Sequence, residues 1–95
     1  MNNLKSVVEQ THDCRAELLS TESIVEVFEN KPVWAGDVST YQIEGNRLSD
    51  TCFAWTEYNE ETNKDRHFAV LQVGPIKTPL DAVRASIVRD AQDDS

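Results

Sequence analysis

The sequence predicts an α+β fold, a three-stranded antiparallel sheet packed by a C-terminal helix and preceded by N-terminal helical segments. Three observations carry this reading. Runs rich in β-branched and aromatic residues, VSTYQI at 38–43, TCFAWTEY at 51–58 and HFAVLQV at 67–73, follow one another with turn residues between them. Thr78-Pro79-Leu80-Asp81 then opens a helix, with a cap, a proline at the first helical position and an early acid. Before all of these, apolar residues recur at near-helical spacing from Leu4 to Phe28.

Taken in order, Leu4, Val7, Cys14 and Leu18 suggest a first helix over about 3–18. Ser20-Thr21-Glu22-Ser23 breaks the pattern and supplies an N-cap with an acid in the first turn. A second helix is expected over about 22–30, with Ile24, Val27 and Phe28 as its apolar stripe. Its end near Asn30 follows from Pro32, which pushes the preceding residue out of the helical region. The competing reading of Ile24-Val25-Glu26-Val27-Phe28 is a strand, since three of the five are β-branched.

The first strand is expected at about 32–43, with a bulge at Gly36. Val33 and Ala35 share one parity there, and Val38 and Thr40 share the other. Glu44-Gly45-Asn46 turns the chain, and Arg47–Asp50 forms a tight connection. Strands at 51–58 and 66–73 flank the polar loop 59–65. The final helix runs over about 79–90 on Leu80, Val83 and Ile87, and residues 91–95 are expected to fray. In the hairpin, Phe53 and Trp55 are expected to share a face with Ala69, Leu71 and Val73. Cys52, Ala54 and Thr56 would share the other with Phe68 and Val70. One helix of about three turns cannot cover both faces, so the N-terminal helices or another subunit must cover the second.

A chain of 95 residues makes a single domain over 1–95, burying roughly 64% of its unfolded surface. Residues 1–19 are expected to attach loosely. Charge narrows the function: 9 basic against 17 acidic side chains give a net −8, spread along the chain. No basic patch is available to displace counterions, so direct nucleic-acid and membrane binding are both disfavoured. The excess serves solubility, and its sharper reading is an acidic face that docks a basic partner or imitates nucleic acid. No apolar run is long enough for a membrane span, and the start lacks a secretory signal, so a cytoplasmic location is expected.

Chemistry finds little support. His12, Cys14, Cys52 and His67 are the ligand types of a zinc site but lack the paired spacing, so no metal is expected. Cys52 and His67 fall on opposite faces in the expected hairpin, which argues against a thiol nucleophile with its base. With glycine only at 36, 45 and 74, a phosphate loop is excluded, and no cofactor is expected. No motif identifies a family. The aromatic residues Trp34, Tyr41, Trp55, Tyr58 and Phe68 lie on strands, where any left exposed would anchor a contact. The sequence therefore suggests a non-catalytic, small, acidic protein-interaction module. It would bind a protein partner or itself as a homodimer, through an apolar sheet face or the N-terminal helices. The alternative is a nucleic-acid-mimicking decoy or inhibitor of a host or defence protein.

Overall fold

The computed structural model describes residues 4–59 and 61–93. The chain runs α1 (Leu4–His12), β1 (Arg15–Phe28), β2 (Lys31–Glu44), β3 (Thr51–Asn59), β4 (Lys64–Leu71) and α2 (Pro79–Asp93). The strands form one antiparallel sheet in the order β1-β2-β3-β4. The α+β class and the C-terminal helix agree with the sequence. The sheet has four strands rather than three, and there is one N-terminal helix rather than two.

The expected helices at 3–18 and 22–30 are replaced by α1 and β1; residue 3 lies outside the described residues. The cause is two backbone devices built without glycine. Asp13 takes a left-handed φ of 50° and Cys14 N–H donates to Glu9 O at 3.1 Å, the closing bond of a Schellman helix end. Glu29 and Asn30 both take positive φ, 52° and 63°, between the paired residues Phe28 and Lys31. That is a two-residue hairpin turn whose twist suits the flanking strands. Between these points the β-branched residues of β1 pair with β2 along their length.

The bulge expected at Gly36 is also displaced. Gly36 pairs regularly with Ile24, while the register shifts between Leu18 and Ser20 and between Glu26 and Val27. The second shift leaves Val33 as the extra residue of β2; Trp34 to Val38 pair without a break, so Val33 and Ala35 are simply exposed while Trp34 and Val38 turn to the core. Gly36 serves a different end: the Trp34 ring lies across it, and a Cβ there would stand 3.0 Å from Trp34 Cη2.

The β3–β4 register differs from expectation by one residue, which exchanges the faces of β4. Phe53 pairs with Val70 and Trp55 with Phe68, while Cys52 pairs with Leu71 and Ala54 with Ala69. Two cores result, one on each side of the sheet. Under α1 lie Val8, Ala16, Tyr41, Ile43, Cys52 and Ala54, joined by Leu4, Cys14, Ala69 and Leu71. Under α2 lie Val38, Phe53, Trp55, Ala82 and Val83, joined by Ile24, Trp34, Phe68, Val70, Ile76 and Ile87. Val8 of α1 is fully buried in the first of these cores.

The start of α2 follows the sequence closely. Asp81 N–H donates to Thr78 Oγ1 at 3.1 Å, and Asp81 Oδ2 accepts from Lys77 N–H at 3.1 Å and Thr78 N–H at 3.2 Å. Those backbone bonds, Lys77's first, hold the Asp81 carboxyl below its usual range. A lowered carboxyl stabilises the fold above its unfolded value, about pH 4, and that contribution fades as pH falls through the folded value. We expect Thr78→Ala to cost about 1 kcal/mol in denaturant melts. Asp81→Asn should remove part of the acid dependence of those melts below about pH 4. The helix continues through Asp93, past the expected fraying point; residues 94 and 95 lie outside the described residues.

Candidate interaction surface

Pairing between β2 and β3 is confined to Ser39–Gln42 against Thr51–Ala54, whereas β1 and β2 pair from Arg15 to Phe28. The distal halves of β1 and β2 therefore project as a two-stranded arm beyond the four-stranded part. Two strands alone bury little: Ile24 and Trp34 turn in against the α2 core, and the arm's other apolar side chains stay in water. Val25, Val27, Phe28 and Val33 are all exposed there, Phe28 by 66%.

α2 lies along the base of this arm. Arg84 on α2 donates to the Glu26 carboxylate on β1, tying helix to arm, and that hydrogen bond holds Glu26 below the usual carboxylate range. Between them a groove of about 520 Å³ is lined by Val27, Phe28 and Val33 from the arm and by Ile87 and Val88 from α2. Val88 stands outside the Leu80–Val83–Ile87 stripe and is itself exposed.

The aromatic residues singled out in the sequence take different places. Trp55 and Tyr41 are buried core residues, 0% and 1% exposed. Trp55 stacks on Phe68, with ring centroids 5.1 Å apart, and meets Trp34 edge-on at 6.1 Å. Both indole N–H groups donate to Glu57 Oε2, from Trp34 at 3.0 Å and from Trp55 at 2.8 Å. Trp34 and Phe68 are half-buried within that wall. Tyr58 is exposed near the β3–β4 turn, where its hydroxyl donates to Asn63. These five thus do not form one surface; Val27 and Phe28 of the arm were read in the sequence as the stripe of an N-terminal helix, and Val33 and Val88 were not singled out as contacts. Two signals pointed to them: the parity slip around Val33, and an apolar Val88 off the core stripe of its helix.

Of the four candidate metal ligands, Cys14 and Cys52 lie in the same core, while His12 and His67 are each engaged elsewhere. His12 Nε2 donates to Ala69 O at 3.0 Å, and His67 Nδ1 shares a hydrogen bond with Thr56 Oγ1 at 2.9 Å. Among the described residues, no three His, Cys, Asp or Glu side chains converge. The one-residue register change puts His67 on the same face as Cys52, not opposite as expected. It stands at the far end of the strand, paired with Thr56, while Cys52 is paired with Leu71. Both thiols are free. Burial, then the neighbouring Cys14, pushes the Cys52 thiol up to about 12. Burial, then Glu9 and Asp13, raises Cys14. Because the thiolate is the nucleophile, both should react slowly at neutral pH. We expect iodoacetamide to modify half-buried Cys14 first and to reach Cys52 only on unfolding, as read by mass spectrometry.

No helix among the described residues is long and apolar enough to cross a membrane. No protein-family model, curated protein or solved structure matches this chain.

Proposed function

We propose that this chain is a non-catalytic protein-interaction module that pairs with a second copy of itself through the arm–α2 groove. The observation that supports this most is the contiguous exposed apolar patch of Val27, Phe28, Val33 and Val88 beside half-buried Ile87. Monomeric domains rarely leave such a patch in water. Electrostatics favour this place for contact between identical acidic chains. Two copies of net charge −8 repel over most of their surface, but in the groove Glu26 and Arg84 neutralise one another. A twofold contact there would place apolar patch on apolar patch with the ion pairs at its margin.

The decoy alternative calls for carboxylates in an uninterrupted band. Glu9, Glu17 and Glu44 instead share a cavity with Lys5 and Arg15, and Glu26 is tied to Arg84. This interleaving favours the interaction module. Sedimentation of the intact protein tests the reading. We expect a concentration-dependent dimer, and a monomer of unchanged circular dichroism for Phe28→Ser combined with Val33→Ser. A wild-type chain that stays monomeric at high concentration would overturn it.

A further inference from the structure

The sheet has two edges, and they are protected unequally. β4 spans 8 residues, carries Lys64, Asp65 and Arg66 at one end, and its Ala69 carbonyl accepts from His12. Short length, charge and a covering side chain are the usual defences of an edge strand. β1 runs for 14 residues without proline or lysine, and Leu18, Leu19 and Val25 stand exposed along it.

The ladder shows which backbone groups of β1 are open. Ile43 N–H donates to Asp50 O at 2.8 Å, so Ile43, Tyr41 and Ser39 turn their backbone groups toward β3. The alternate residues Thr40, Val38, Gly36 and Trp34 turn theirs toward Ser20, Glu22, Ile24 and Glu26 of β1. Thr21, Ser23 and Val25 therefore direct both N–H and C=O outward. On either side of this stretch a carboxylate takes the outward N–H. Glu9 accepts from Ala16 N–H at 3.0 Å, and Glu26 accepts from Val27 N–H at 3.1 Å. Between these two caps, the outward groups of Thr21, Ser23 and Val25 meet no backbone or side-chain partner among the described residues.

A second β1 fits this edge in the antiparallel sense, and charge chooses the register. With a twofold axis at Ser23, Thr21 stands opposite Val25 of the second copy, Glu22 opposite Ile24, and Ser20 opposite Glu26. Moving the axis by one residue sets Glu22 against its own copy or against Glu26. The same register brings exposed Leu18 and Leu19 alongside Val27 and Phe28 of the second copy, apolar against apolar. The arm–α2 groove adjoins this seam, since Val27 and Phe28 at the end of β1 also line the groove.

We infer that a second copy adds its β1 to this edge, joining two four-stranded sheets into one of eight strands across a twofold axis at Ser23. The inference rests on the reading that the chain pairs with itself through the groove. It adds a backbone contact that the groove contact alone does not require.

Amide exchange of the intact protein, followed by NMR at about 1 mM and about 10 µM, tests it. We expect the Thr21, Ser23 and Val25 amides to exchange at least about tenfold more slowly at the higher concentration. Thr21→Lys combined with Val25→Lys sets lysine against lysine twice across the seam. That variant should sediment as a monomer of unchanged circular dichroism, although its net negative charge is smaller. Thr21→Lys combined with Val25→Glu sets lysine against glutamate twice, and should dimerise like the wild type. A dimer whose edge amides exchange as fast as in dilute solution would overturn this inference and leave the groove contact standing. Equal association of the two variants would do the same. A wild-type chain that stays monomeric would overturn both.

Discussion

Trp55→Ala is expected to remove about 3–5 kcal/mol of folding stability. The side chain is fully buried, stacked on Phe68 and edge-on to Trp34, and its indole N–H is bound by Glu57. Truncation would leave a cavity among Val38, Val83 and Phe53 and withdraw one of the two indole donors from Glu57. A domain of this size holds about 5–14 kcal/mol in total, so the loss is about a fifth or more of the whole. Urea melts should show a large fall in midpoint with little change in slope. Trp55→Phe keeps much of the ring contact while losing the N–H, and should fall between wild type and alanine. A Trp55→Ala protein as stable as the wild type would mean that the wall under α2 is not packed as described.

The second large effect is expected from removing residues 1–12. Val8 is fully buried and Leu4 half-buried against the face made by Tyr41, Ile43, Cys52, Ala54 and Leu71. Each such side chain contributes about 1.5–3 kcal/mol when fully buried, so α1 carries several kcal/mol of a thin reserve. The shortened chain should bind hydrophobic dye strongly, and iodoacetamide should reach Cys52 without denaturant. Losing α1 also withdraws the His12 hydrogen bond from the β4 edge. A shortened chain that stays soluble and binds no dye, with Cys52 still protected, would show that α1 does not cover this face.

How legible the fold was depended on how local its signals were. α2 could be read because Thr78, Pro79 and Asp81 each act on the backbone beside them. β2, β3 and β4 were legible in runs of β-branched and aromatic residues between turns. β1 was hidden for two reasons. Its apolar residues also fit a helical spacing, and its boundaries depend on left-handed Asp13, Glu29 and Asn30, where sequence reading looks for glycine. The faces of β4 were misassigned because register is a long-range property, and in a hairpin with apolar residues on both sides the composition does not choose between neighbouring registers.

The candidate surface was less legible still. An aromatic residue such as Trp55 serves a core or a contact equally well, and only burial distinguishes them. The exposure of Val27, Phe28 and Val33 follows from strand lengths, since β1 and β2 outrun β3 and β4. No single residue in the arm announces that.

Whether a second copy of the chain occupies the arm–α2 groove can be read from the valine methyl groups of the intact protein. Spectra of methyl-labelled protein would be recorded on dilution from about 1 mM to about 10 µM, a span covering weak to moderate association. Val27, Val33 and Val88 should shift together with concentration. Val8 and Val38, fully buried in the two cores, should stay fixed. Spectra that do not change over the whole range, or shifts confined to valines away from the groove, would contradict self-association through the arm.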